Sequence, residues 1–236
     1  MITLAFDSTA KAASVAITDG ERPLAVYSID NGLTQSELLL PMAEAALGAL
    51  KLSFADVGLL ASSVGPGSFT GVRIGTALVK GIAFGRGIPC VSVSTLEALA
   101  ENLAGLDGII VPVMDARRGQ VYTALFSCTG GGIERLTDDS AISIEELSSM
   151  LSEYTDKRKI YLCGDGYSVV KRYFEKIELK TETTPPLLLS ENAYSVARVA
   201  ARLYERGEYT NDTEHNPTYL RVPQAERERL EKLKGE

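Results

Sequence analysis

The amino-acid sequence predicts an α/β fold of two lobes, each with the same order of elements, βββαβα. Three observations carry that expectation. Apolar strands and amphipathic helices follow one another in this order from residue 2 and again from residue 109. Each run opens on an apolar strand that ends in an aspartate, Asp7 and Asp115, and returns after a short polar turn. With 236 residues, 45% of them hydrophobic, the chain can bury one substantial core or two small ones. The halves are read as residues 1–104 and 105–236.

Ile2 to Asp7, Ala13 to Thr18 and Leu24 to Ile29 read as three successive strands, joined by turns at Asp7-Ser8-Thr9 and Asp19-Gly20-Glu21-Arg22-Pro23. Thr34 and Glu37 have the spacing of a capping box for a helix through Leu50. Pro41 is tolerable only in a first turn, so the regular helix is expected to start close to it. Val57 to Ser62 is the next apolar strand, followed by a helix from Val72 to Arg86, a strand at Cys90 to Val93, and a helix capped by Ser94. The order restarts with the strand Ile109 to Asp115, the turn Ala116 to Gly119, the strand Gln120 to Ser127 and a third strand at Ile133 to Leu136. Ser143 opens a helix through about Tyr154, Lys159 to Cys163 is a strand, and Gly164-Asp165-Gly166 leads into a helix from Tyr167 to Ile177. An extended connector, Thr181 to Pro186, precedes an amphipathic helix from Asn192 to Arg206. Beyond Gln224 the chain is a charged run, expected to be solvated and mobile.

The stretch Ser63 to Gly75 is a strand-loop-helix joint in which Gly65, Gly67 and Gly71 let backbone approach a ligand or another chain segment, and Ser68 or Thr70 caps the helix. An amide-rich helix start of this kind can hold an anion. The phosphate-loop pattern is missing because no Gly-Lys-Ser/Thr closes the stretch, and the dinucleotide fingerprint fails because Thr70 stands at the third glycine. The helices around Leu38 to Leu50 and Val72 to Arg86 are apolar nearly all round, whereas a helix on a sheet needs one apolar stripe. Their surplus calls for a second surface, the other lobe or a partner chain, and the candidate interface is Leu39, Met42, Ala46, Gly71, Ile74, Gly75, Leu78 and Ile82.

Asp and Glu number 31 against 24 Lys and Arg, a net charge of −7, which argues against autonomous nucleic-acid binding. The N-terminal stretch reaches an acid at position 7, earlier than expected of a signal peptide, and no apolar run approaches the ~20 residues of a membrane span, so a cytoplasmic location is expected. Cys90, Cys128 and Cys163 are odd in number, far apart and set in apolar strands, as for reduced core thiols. The one histidine, His215, lies in a polar stretch before a proline and is read as solvated or docking the tail, because metal ligands come in clusters. No Gly-x-Ser-x-Gly elbow points to a serine hydrolase.

Two βββαβα halves that each open on strand-Asp-turn-strand resemble the actin-like ATPase (ribonuclease H-like) superfamily. Within it, Phe6-Asp7-Ser8-Thr9, Gln35-Ser36-Glu37, Gly65-Pro66-Gly67-Ser68-Phe69-Thr70-Gly71-Val72-Arg73-Ile74-Gly75, Asp115-Ala116-Arg117-Arg118-Gly119-Gln120-Val121-Tyr122 and Pro217-Thr218-Tyr219-Leu220-Arg221 are similar to the TsaB (YeaZ) family, over nearly the whole chain. Many relatives have His-Ser-Glu where Gln35-Ser36-Glu37 stands here. The resemblance implies a dimerisation subunit of the machinery that places threonylcarbamoyl on N6 of adenosine 37 in tRNA. Its implied partners are the catalytic paralogue TsaD, the ATPase TsaE through the complex, and a second copy when alone. ATP and magnesium would be used by the partner subunits, tRNA would be met only through the complex, and no metal, cofactor or membrane would belong to this chain.

Two hypotheses follow. In the first the chain is a scaffold that pairs its two apolar helices with those of TsaD. In the second it is an ATP/Mg-dependent phosphotransferase or hydrolase with a nucleotide cleft at Asp7, Gly65, Gly67, Ser68 and Asp115. Arg117 and Arg118 either contact a phosphate, tRNA or partner, or form a solvated hairpin tip.

Overall fold

A computed structural model describes residues 1–221; the charged run beyond Gln224 lies outside the described residues. In the first half β1 (Ile2–Asp7), β2 (Ala13–Asp19) and β3 (Arg22–Ile29) form a meander, followed by α1 (Gln35–Ala49), β4 (Leu59–Gly65), α2 (Phe69–Ala83), β5 (Cys90–Ser94) and α3 (Thr95–Glu101). The second half contains β6 (Gly108–Asp115), β7 (Gln120–Thr123), β8 (Phe126–Thr129), β9 (Gly132–Arg135), β10 (Ser140–Ser143), α4 (Ile144–Leu151), β11 (Ile160–Cys163), α5 (Tyr167–Lys176) and α6 (Ala193–Glu205).

The first sheet has the order β3-β2-β1-β4-β5, with β1 antiparallel to β2 and parallel to β4. The second repeats this plan: β6 lies between the antiparallel β7 and β8 on one side and the parallel β11 on the other. The duplication read from the two strand-end aspartates is therefore present in the fold. In place of a fifth strand, Glu182 in the connector makes a single parallel bridge to Tyr161.

Three elements differ from expectation. Helix α1 starts at Gln35 and runs through Pro41, with the Thr34 amide donating to Glu37 Oε2 at 3.0 Å. Pro41 is exposed, so water can take the carbonyl its ring leaves without a helical donor. The strand expected at 120–127 is interrupted at Ala124-Leu125 while keeping one register against β6. There the Leu125 amide donates to the Thr137 hydroxyl at 2.8 Å and its carbonyl accepts from the Leu136 amide, so the expected third strand, β9, ends there and the chain pairs again only in β10. Strand β10 has no counterpart in the sequence reading.

Alternation along the strands sorts the cores. Leu4, Phe6, Val15 and Ile17 face α1 and α2, while Ala5 and Ala16 face α6, whose Ala193, Ala197 and Ala200 come close because both sides are small. In the second lobe Ile109, Val111 and Val113 face α4 and α5, while Ile110 and Met114 face Leu96, Leu99 and Leu103 at and beyond the end of α3. The halves thus exchange helices, since α3 covers the second sheet and α6 the first. Buried Glu101 clamps the exchange, paired with Arg198 at 3.0 Å and Arg202 at 2.6 Å. Among the described residues no helix is long and apolar enough to cross a membrane.

Candidate functional site

The glycine loop is engaged by the chain itself. A Cβ on Gly65, which has φ +122°, would stand 2.5 Å from the Thr218 carbonyl oxygen, and one on Gly67 2.7 Å from that of Thr9. On Gly71 and Gly75 it would meet the Ser8 carbonyl oxygen at 1.8 Å and the Ser8 hydroxyl at 2.6 Å. The first turn fills the space these glycines leave: the Ser68 amide donates to Thr9 O at 2.7 Å, and the Ser8 hydroxyl donates to Gly71 O at 2.8 Å. Of the two capping candidates, Ser68 caps α2, accepting from the Gly71 amide at 3.2 Å. Gly71 and Gly75 are thus explained by contact within the chain and are buried, a correction to their assignment to an interface with a partner.

Between the lobes lies a cleft of about 740 Å³, lined by the first turn (Thr9 to Lys11), the loop (Gly67 to Thr70) and the β6–β7 turn (Asp115 to Arg117), with Gln35, Met114, Tyr122, Asp165 and Arg221. Gly67, Ser68, Asp115 and Arg117 among the predicted residues reach it; Gly65, Asp7 and Arg118 do not line it. The two strand-end aspartates differ. Asp7 is buried, its Oδ1 accepting from the amide and hydroxyl of Thr9 at 2.9 and 2.8 Å and its Oδ2 from the Ser63 hydroxyl, and burial raises its pKa against those bonds. Asp115 is exposed and caps its own turn by accepting from the Arg117 amide at 2.7 Å. Gln35 donates to Ala10 O at 2.8 Å, so a side-chain N–H at this position holds the first turn.

The sequence reading missed two carboxyls. Asp165 accepts from the Asp115 amide at 2.9 Å, and burial, together with the Asp115 charge, pushes it up. Glu191 is buried, and desolvation followed by the charges of Asp7 and Asp165 raises it to about 8, so it is protonated at neutral pH. Asp165 had a signal, a strand-end aspartate between two glycines; Glu191 sits in a featureless connector.

His215 is fully buried and docks the tail on the first sheet, with Nε2 2.8 Å from the Ser62 hydroxyl and Nδ1 3.0 Å from that of Ser92. Burial, with the Lys80 charge, lowers it to about 4, so the ring is neutral. The three cysteines are free and buried, and burial lifts the Cys90 thiol to about 11. Among the described residues no three His, Cys, Asp or Glu side chains are grouped to hold a metal ion.

The predicted helix interface needs a second correction. Leu39, Met42, Ala46 and Ile82 are buried in the first lobe's own core, and Ile74 and Leu78 are half-buried against it. The outward face of the pair is carried by other residues. Leu40 is 39% and Phe84 77% exposed, with Pro41, Ala45, Ala77 and Gly81 also exposed on the same two helices and the turn after α2. Helical periodicity places both sets a few residues apart, and burial alone separates them.

The repeated sheet order and the cleft between two strand-turn-strand openings define a protein of the actin-like ATPase fold. YeaZ from Pseudomonas aeruginosa shares that fold, with a TM-score of 0.76 at 24% identity over 93% of this chain and 99% of that one. A second P. aeruginosa structure, described as having similarity to the peptidase YeaZ, gives a TM-score of 0.78 with the same identity and coverage. The family model "TsaD: tRNA N6-adenosine threonylcarbamoyltransferase" matches residues 34–229. The tRNA threonylcarbamoyladenosine biosynthesis protein TsaB of Bacillus subtilis is 33% identical over 75% of this chain and 76% of its own length; that of Escherichia coli is 28% identical over 94% and 95%. The chain belongs to the TsaB (YeaZ) family.

Proposed function

We propose that this chain serves tRNA N6-threonylcarbamoyladenosine biosynthesis as a non-catalytic scaffold, pairing the outward face of α1 and α2 with the equivalent helices of the catalytic paralogue TsaD. The observation that carries it is that face: Leu40 and Phe84 stand in solvent beside Ala45, Ala77 and Gly81, whose small side chains allow a second helix pair to approach. A copy of the same chain takes this place when TsaD is absent, because a self-complementary face closes a two-fold dimer. The ATPase TsaE and tRNA are met through the complex, in the cytoplasm, and this subunit needs no cofactor of its own. The engagement of the predicted site residues by the chain itself supports the absence of chemistry: both oxygens of Asp7 are occupied and it does not line the cleft, Gly65 is covered by Thr218, and the single histidine is a buried neutral pin.

The test is co-purification with TsaD. Leu40→Asp with Phe84→Asp should abolish it and leave the isolated chain monomeric by sedimentation, whereas Ile82→Asp or Leu78→Asp would confound the result by opening the core. Unchanged binding overturns the helix assignment. The rival reading, an ATP/Mg-dependent phosphotransferase or hydrolase, predicts micromolar ATP binding by calorimetry that is lost on Asp7→Ala; the scaffold reading predicts none.

A further inference from the structure

The motif Pro217-Thr218-Tyr219-Leu220-Arg221 plays no part in the scaffold surface, yet it makes a dense set of contacts. On the first lobe the Thr218 amide donates to Val64 O at 2.8 Å, and the Tyr219 ring stacks on Phe69 with centroids 4.6 Å apart and planes 9° from parallel. Arg73 locks that stack, its Nε donating to the Tyr219 hydroxyl at 2.7 Å. Two residues further, Arg221 reaches the second lobe, donating to Ala116 O at 2.9 Å and to Gln120 Oε1, with its guanidinium 5.6 Å above the Tyr122 ring.

Upstream, the tail has no slack on the first lobe. Thr210 and Cys90 exchange backbone hydrogen bonds at 2.8 and 2.9 Å, His215 is held between Ser62 and Ser92, and Lys80 Nζ donates to Thr213 O at 3.1 Å and Asn216 Oδ1 at 3.0 Å. The three steps from Thr218 to Arg221 span at most about 10 Å when extended. Any opening of the cleft by several ångströms must therefore break the Arg221 contacts, and closing must displace the Tyr219–Phe69 stack.

We propose that Pro217–Arg221 is a latch across the cleft mouth that holds the two lobes at one opening, with Arg221 as its catch on the β6–β7 turn. The exchanged helices α3 and α6 already join the lobes through Glu101, so the latch is a second tie between them. Gly65 is then a glycine because the latch backbone lies against it. The latch is a property of this chain alone and stands whichever partner covers α1 and α2.

Spin labels at Ser36→Cys and Glu145→Cys, both exposed and on different lobes, report the opening by double electron-electron resonance; the native cysteines are buried, and dilution with unlabelled chain removes distances between copies. The latched chain should give one narrow distance. Arg221→Ala, and separately Gln120→Ala, should broaden it roughly twofold, as for a hinge released to sample several openings. If both variants keep the circular dichroism of the parent and its distance distribution, the latch does not exist. Should Arg221→Ala fail to fold, Gln120→Ala decides alone: broadening supports the latch and an unchanged width overturns it.

Discussion

Two glycines in one helix put opposite demands on the same substitution. A methyl group at Gly71 would lie 1.8 Å from the Ser8 carbonyl oxygen, so Gly71→Ala must push the first turn off α2. Gly81, in the same helix, has open space around the position of a Cβ. Gly71→Ala should destabilise the chain by about 3 kcal/mol, the upper range of overpacking. Gly81→Ala should stabilise it by about 0.5–1 kcal/mol by removing unfolded-state freedom. Urea unfolding of the two variants checks both signs. The glycines of the joint were legible as needing close approach, but not what approaches, because the contact comes from Ser8 and Thr9 for Gly67, Gly71 and Gly75 and from Thr218 for Gly65, all distant in sequence.

At the scale of elements, the helices and strands were largely readable because capping and period-two or period-3.6 patterns are local. Ser94, Ser143 and Asn192 each accept from the amide three residues on and start α3, α4 and α6, as their positions imply. The break at Ala124-Leu125 was not readable, since it is held by Thr137 from a neighbouring strand. Nor was the side of each helix that faces the sheet. The α3–α6 clamp belongs to this scale. Its carboxylate is 1% exposed and its arginines about a third, so Glu101→Ala should cost about 1.5–3 kcal/mol in urea unfolding, the range for hydrogen bonds to charged groups. Arg198→Ala should cost less, because Arg202 stays paired.

For the molecule as a whole, two buried groups of opposite kind shape stability against pH. His215, lowered from 6.5 to about 4, leaves the folded chain with fewer protons than the unfolded chain between those values. Stability from this group is therefore full above pH 6.5 and is lost as pH falls towards 4. Glu191, raised from 4.5 to about 8, has the reverse sign: the folded chain holds the extra proton, so stability is full below pH 4.5 and is lost as pH rises to 8. The two slopes oppose each other between pH 4.5 and 6.5, and above 6.5 only that of Glu191 remains. Glu191→Gln should remove a fall of roughly 2–4 kcal/mol between pH 4.5 and 8. Denaturant midpoints across that range measure it, and parallel curves for parent and variant would contradict the assignment.

By itself the sequence determined the duplicated βββαβα order, the capped helix starts, the two strand-end aspartates and the resemblance to the TsaB family, all carried by short-range patterns. Only the tertiary structure decided that Asp7 is buried while Asp115 is exposed, that Glu191 and Asp165 join them, that His215 is a pin, and that Phe84 rather than Ile82 faces outward. These outcomes depend on which distant segment lies against each side chain and excludes water from it, and neither spacing nor composition encodes that.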